Sequence, residues 1–94
     1  MTFTTISNWT ATEWTDEMEA LARDKFVPMI MAVGAQSVQM VRTGDLSFSV
    51  LTHYADEAAC AAAQAKIAEI RAEAKSDMPM AMQSLSQGAT FASG

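Results

Sequence analysis

The chain has one histidine, His53, one tyrosine, Tyr54, and one cysteine, Cys60, so little of it could do proton or nucleophile chemistry. An imidazole is the side chain whose unperturbed pKa suits a general base near neutrality, which makes His53 the candidate catalytic base. Tyr54 and Asn8 are the candidate hydrogen-bonding partners. Ser49, Arg42, Val41, Leu51 and Trp9 are candidates for contact with a bound small molecule. Each also has an inert reading. A histidine at a strand end can be a hydrogen-bonded rim residue, and an arginine beside a turn can be a solvated charge. Neither Ser47 nor Ser49 has a base at nucleophile-activating spacing. No Lys, Arg or His stands near Cys60 in sequence to lower its pKa, so it reads as a small core residue. The eight methionines suit adaptable packing, and no residue pattern calls for a metal or another cofactor.

These residues must be positioned by the stretch from Ser37 to Tyr54. Val38–Arg42 and Leu46–Tyr54 are rich in β-branched and aromatic types and flank Thr43-Gly44-Asp45, where glycine can supply the positive φ of a tight reversal. A three-residue loop pairs Arg42 with Leu46, Met40 with Phe48 and Val38 with Val50. One face then carries Val38, Met40, Leu46, Phe48 and Val50; the other carries Gln39, Val41, Ser47, Ser49, Leu51 and His53. A two-residue loop would mix the faces. The second face is too apolar for open water and too polar for a dry core. This hairpin is expected at the centre of a single sheet.

Around it the elements follow from local signals. Residues 1–8 read as a strand. Thr10 and Glu13 have capping-box spacing, and Trp9 and Trp14 stand where a hydrophobic staple would place them, so a helix is expected from there. Its apolar stripe is Trp14, Met18, Leu21, Ala22, Phe26, Met29, Ile30 and Val33, with a kink or break at Phe26–Pro28 and a left-handed cap at Gly34. Residues 29–33 are apolar all round. Asp56 caps a second helix whose stripe is Cys60, Ala63, Ile67, Ile70 and Ala74, and whose outer face includes Gln64, Lys66, Glu69, Arg71, Glu73 and Lys75. Met78-Pro79 ends it. A last strand is expected over Leu85–Ala92, with a bulge at Gly88.

Ninety-four residues form one domain, 1–94, half of it hydrophobic, and its core is thin because the second helix is mostly alanine. The formal charge of −5 and the lack of a basic stripe argue against nucleic acid and anionic membranes as partners. No apolar run reaches a membrane span, and no basic-then-apolar leader stands at the start, so a cytoplasmic protein is expected.

Strand, helix, strand, strand, helix, strand is the α+β, ferredoxin-like βαββαβ plan: a four-stranded antiparallel sheet with two helices on one face. The other face is left bare. The segment Val41-Arg42-Thr43-Gly44-Asp45, leading to Thr52-His53-Tyr54-Ala55-Asp56-Glu57-Ala58-Ala59, together with the element order, resembles the dimeric α+β barrel superfamily. Within it, the likeness is to the small antibiotic-biosynthesis-monooxygenase-like members. The resemblance implies a homodimer in which two bare faces close a barrel. It also implies cofactor-independent oxygenation of a small aromatic or quinol-type molecule that supplies its own electrons, with Asn8 matching an asparagine that orients an oxygenated intermediate. Haem-degrading members carry a Trp and a His on the second helix; residues 56–78 have neither. The alternative is a non-catalytic homodimer of the same fold that binds a small molecule or serves a structural role. Metal-carrier, RNA-binding and acylphosphatase-like relatives need paired cysteines, exposed aromatics or a glycine-rich anion loop, all missing here.

Overall fold

Alternation along β1 (Phe3–Ala11) sets the two sides of the molecule. Phe3, Thr5, Ser7, Trp9 and Ala11 are buried, whereas Thr4, Ile6, Asn8 and Thr10 face the other way. The structure, a computed structural model, describes residues 2–94; the expected strand start at Met1 lies outside them. Strands β2 (Ser37–Gly44), β3 (Ser47–Tyr54) and β4 (Met80–Ala89) complete an antiparallel sheet of order β2-β3-β1-β4. The fold is thus the expected ferredoxin-like βαββαβ. The hairpin is not central as a unit, because β2 is an edge strand while β3 pairs on both sides.

The hairpin register differs from expectation by two residues. Met40 pairs with Val50 and Val38 with Thr52. Its loop is Asp45-Leu46, and a bulge between Arg42 and Gly44 restores the alternation that a two-residue loop would otherwise have broken. A shift of two preserves parity, so the two faces keep their expected residues, except that Leu46 sits exposed in the turn. Gly44 has no positive φ; a Cβ there would meet Ser47 Oγ at 2.6 Å, a contact that rotation of the serine hydroxyl can relieve.

The expected capping box at Thr10 is overturned. Thr10 pairs with Ser47 and Ala81 inside β1, and the cap of α1 (Asp16–Leu21) is Thr15, whose hydroxyl accepts from the Met18 amide at 3.2 Å. Two sheet ladders hold Thr10 where a local signal alone would have started a helix. Trp9 and Trp14 do not form a staple; both pack on Phe48, one stacked at 6.0 Å and one edge-on at 5.7 Å. The expected distortion before Pro28 is present as a π turn over Ala22–Phe26, followed by α2 (Val27–Ala32). Proline cannot donate to the carbonyl four residues back and crowds it, and widening the preceding turn relieves both problems. Gly34, with φ of 111°, ends the helix as expected.

Helix α3 (Glu57–Asp77) buries the expected stripe, Cys60, Ala63, Ile67, Ile70 and Ala74, and Asp56 Oδ1 accepts from the Ala59 amide at 2.8 Å. Its alanines allow close approach to the sheet, while the two isoleucines each contribute about 1.5–3 kcal/mol of burial. Lys25 in the π turn bonds Asp77 at 2.6 Å and Glu73 at 3.0 Å, tying the helices together. Strand β4 starts five residues before the expected position because Met80 and Met82 pair with Ala11 and Trp9. The irregularity lies between Asn8 and Trp9; Gly88 pairs regularly with Thr4.

Candidate functional site

The helix side of the sheet encloses a cavity of about 60 Å³. Strands supply Trp9, Phe48, Val50, Thr52 and Tyr54; the helices supply Phe26, Ile30, Ile67, Ile70 and Arg71. A wider cavity of about 310 Å³ lies beside it, with Trp14, Met18, Glu19, Arg23, Val27 and Arg42 among its walls. Ala22, Met40, Phe48, Met78 and Met80 line both.

Four polar side chains that line the inner cavity, Thr5, Thr52, Tyr54 and Arg71, have no side-chain hydrogen-bond partner among the described residues, and two of them, Tyr54 and Arg71, are ionisable. Tyr54 is 1% exposed, yet its hydroxyl takes part in no side-chain hydrogen bond among the described residues. Arg71, half-buried, pairs with no carboxylate among the described residues. No fully buried side-chain nitrogen or oxygen among the described residues lacks a partner, so these two groups reach open space; for Tyr54 that space is the cavity, while the half-buried Arg71 lines the cavity and also reaches the surface. Burial pushes the Tyr54 phenol above its ordinary pKa, the nearby Cys60 thiol adds to this, and Arg71 opposes it. Burial also lowers Arg71, while Tyr54 and Cys60 raise it. A guanidinium remains charged even so. The site is therefore a neutral phenol beside a cation in apolar surroundings. Such an arrangement can bind an oxyanion and donate a hydrogen bond to it. Cys60 is buried, with its thiol pushed up by burial, as expected of a core residue.

The sheet divides the residues singled out from the sequence. Tyr54 and Trp9 line the inner cavity, although the Trp9 indole donates to Ser7 Oγ at 2.8 Å and acts as a wall. Arg42 lines the wider cavity, with its guanidinium 4.4 Å from the centre of the Trp14 ring. His53, Asn8, Ser49, Leu51 and Val41 lie on the opposite, helix-free face. There Ser49 donates to Asn8 Oδ1 at 2.6 Å, Asn8 donates to Ser84 at 2.9 Å, and His53 Nδ1 bonds Thr4 Oγ1 at 2.9 Å. Successive strand residues point to opposite faces, so the neighbours His53 and Tyr54 do not share a site. Arg71, expected on the solvent face of its helix, is half-buried and lines the inner cavity. The signal that identifies it is its position four residues after Ile67 and three before Ala74, on the flank of the buried stripe.

Among the described residues no group of three or more His, Cys, Asp or Glu is placed to hold a metal, and no helix is long and apolar enough to cross a membrane. No family model and no curated protein matches the sequence. Solved structures do match in fold. The chain is similar to SnoaB, a cofactor-independent oxygenase from Streptomyces nogalater, with TM-score 0.71 and 15% identity over 98% of this chain and 95% of that one. It is also similar to a putative antibiotic biosynthesis monooxygenase from Nitrosomonas europaea, with TM-score 0.60 and 16% identity over 99% and 94%. A protein of unknown function from the same organism matches with TM-score 0.62 and 22% identity over 100% and 94%.

Proposed function

We propose that this chain is a cofactor-independent oxygenase acting on a small phenol-, enol- or quinol-type molecule bound between the sheet and α3, and that it works as a homodimer joined through the open face of the sheet. The observation that carries the reading is the unpartnered Arg71 guanidinium near the buried Tyr54 hydroxyl, in a cavity whose other lining residues are apolar except for the hydroxyls of Thr5, Ser7 and Thr52. A cation in low dielectric favours ionisation of an enol or phenol placed against it. The resulting electron-rich carbon passes an electron pair to dioxygen and forms a C–O bond. Protonation gives a hydroperoxide, and loss of water leaves a carbonyl; overall CH2 and O2 become C=O and H2O. All electrons come from the substrate. Tyr54, kept in its phenol form, donates a hydrogen bond to the peroxide oxygen, and the apolar walls exclude water.

Support for the dimer comes from the apolar side chains left on the helix-free face, with Ile6 38% and Val41 46% exposed. His53 serves as base only for a substrate lying on that face, where Thr4 is its neighbour and Asn8 and Ser49 pair four residues further along the strands. The test is oxygen uptake with a panel of quinols and catechols. Uptake that depends on the protein and falls by about 100-fold in Arg71→Gln, while surviving in His53→Ala, is the expected result. Loss in His53→Ala with retention in Arg71→Gln moves the chemistry to the open face. Saturable binding without uptake makes the chain a binding module.

A further inference from the structure

The cationic side chains are distributed unevenly. Arg23 pairs with Asp24, Lys25 with Glu73 and Asp77, and Lys66 with Glu69. Arg42, Arg71 and Lys75 have no carboxylate partner among the described residues, and two of these three line the adjoining cavities. In a chain of formal charge −5, unpaired positive charge is thus concentrated at the walls of the cavities.

Size adds a second constraint. The inner cavity is about 60 Å³, well under the roughly 150 Å³ that takes one benzene ring. A ring whose oxygen reaches Arg71 does not fit the inner cavity whole, and the space adjoining it across the shared lining of Met40, Met78 and Met80 is the wider cavity of about 310 Å³. Thioether side chains are well suited to this boundary, because unbranched methionine re-packs at low cost. The wider cavity has its own polar fixture. Arg42 Nε donates to the Gly44 carbonyl at 3.2 Å and Nη2 to the Asp45 carbonyl at 2.7 Å, which hold the guanidinium over Trp14. Arg42 is an exposed residue, and Nη1 has no acceptor among the described residues. The other charged groups of this cavity are engaged: Glu19 accepts from the Trp14 indole at 2.7 Å, and Arg23 is paired with Asp24.

We infer that the two cavities form one divided site, and that Arg42 is a specificity-determining residue that holds an anionic group, such as a carboxylate, at the far end of a substrate whose phenol or enol oxygen meets Arg71. This rests on the placement of the reacting end proposed above. The matched substrate class is a flat molecule of more than one ring with an ionisable hydroxyl at one end and an acid at the other.

Calorimetric titration of the intact protein with phenol, 2-naphthol and 6-hydroxy-2-naphthoate tests this. The carboxylate probe is expected to bind about tenfold tighter than 2-naphthol, as one charge-assisted contact would give. Arg42→Gln is expected to remove that advantage, so that 6-hydroxy-2-naphthoate and 2-naphthol bind the variant equally. Arg42→Lys, which keeps the charge, is expected to retain most of it, and this separates an ionic contact from a disturbed turn. Equal binding of the two naphthalene probes to the unsubstituted protein, or an advantage that persists in Arg42→Gln, overturns the inference. Arg71→Gln is expected to weaken 2-naphthol. Unchanged 2-naphthol binding there defeats the placement of the reacting end itself, whatever Arg42 does, and binding of no probe defeats both.

Discussion

The two faces of the sheet handle polar groups in opposite ways. On the open face, polar side chains satisfy one another across strands: Ser49 with Asn8, Asn8 with Ser84, His53 with Thr4, and Gln83 with Thr10 at 2.8 Å. On the helix side, Tyr54 and Arg71 are set among apolar residues without a protein partner. A hydrogen-bonded ladder is already close to its lowest free energy and gains little from a ligand, whereas an unpaired buried group costs free energy that a ligand can return. A site is therefore better located by unsatisfied groups than by reactive residue types. By type alone His53 leads; by partner accounting Tyr54 and Arg71 do.

The adjacent pair His53 and Tyr54 gives the sharpest test of that contrast. Tyr54→Ala is expected to cost about 3–5 kcal/mol in denaturant unfolding, the range for deleting a buried aromatic ring. His53→Ala, which loses one part-buried hydrogen bond, is expected to cost about 1 kcal/mol or less. Comparable losses would remove the distinction between the faces. The open face is expected to respond instead in assembly. Ile6→Lys places a charge in the apolar row formed by Ile6 and Leu51, and native mass spectrometry should show the dimer replaced by monomer with the fold intact. A dimer that persists would mean that this face is not the interface.

Legibility followed the range of the signal. The stripe of α3 was readable to the residue because helical periodicity is local, and the two hairpin faces were readable because they depend only on parity. At Thr10 the capping-box pattern is local and two sheet ladders override it, and the start of β4 is not local at all, being set by pairing with Ala11 and Trp9. Arg71 was missed because a long charged side chain on the flank of an apolar stripe can turn either to water or inward. The helix start can be checked directly. Thr15→Ala is expected to lower stability by about 1 kcal/mol and Thr10→Ala by clearly less, since only Thr15 supplies the cap. The reverse order would restore the earlier start.

The smallest expected effect is also the one that bears on the helix side alone. Burial raises the pKa of Tyr54 from its ordinary value near 10.0 and that of Cys60 from near 9.0. A raised folded-state pKa means that, between the unfolded and folded values, the native protein holds a proton that the unfolded chain has lost. Stability is then fully present below the unfolded value and falls as pH climbs through the folded one. Unfolding free energy should accordingly decline above about pH 9, with Cys60 acting first and Tyr54 above about pH 10. Tyr54→Phe deletes the ionisable hydroxyl and keeps the ring, so the upper part of the decline should become shallower, leaving the share of Lys25, whose pKa is raised by its hydrogen bonds to Asp77 and Glu73, while neutral-pH stability is nearly retained. An anionic ligand held against the Tyr54 hydroxyl would steepen that slope, because the ionised phenol would repel the ligand. The alkaline limb of the stability curve, measured with and without 2-naphthol, therefore reports whether Tyr54 faces what the cavity holds.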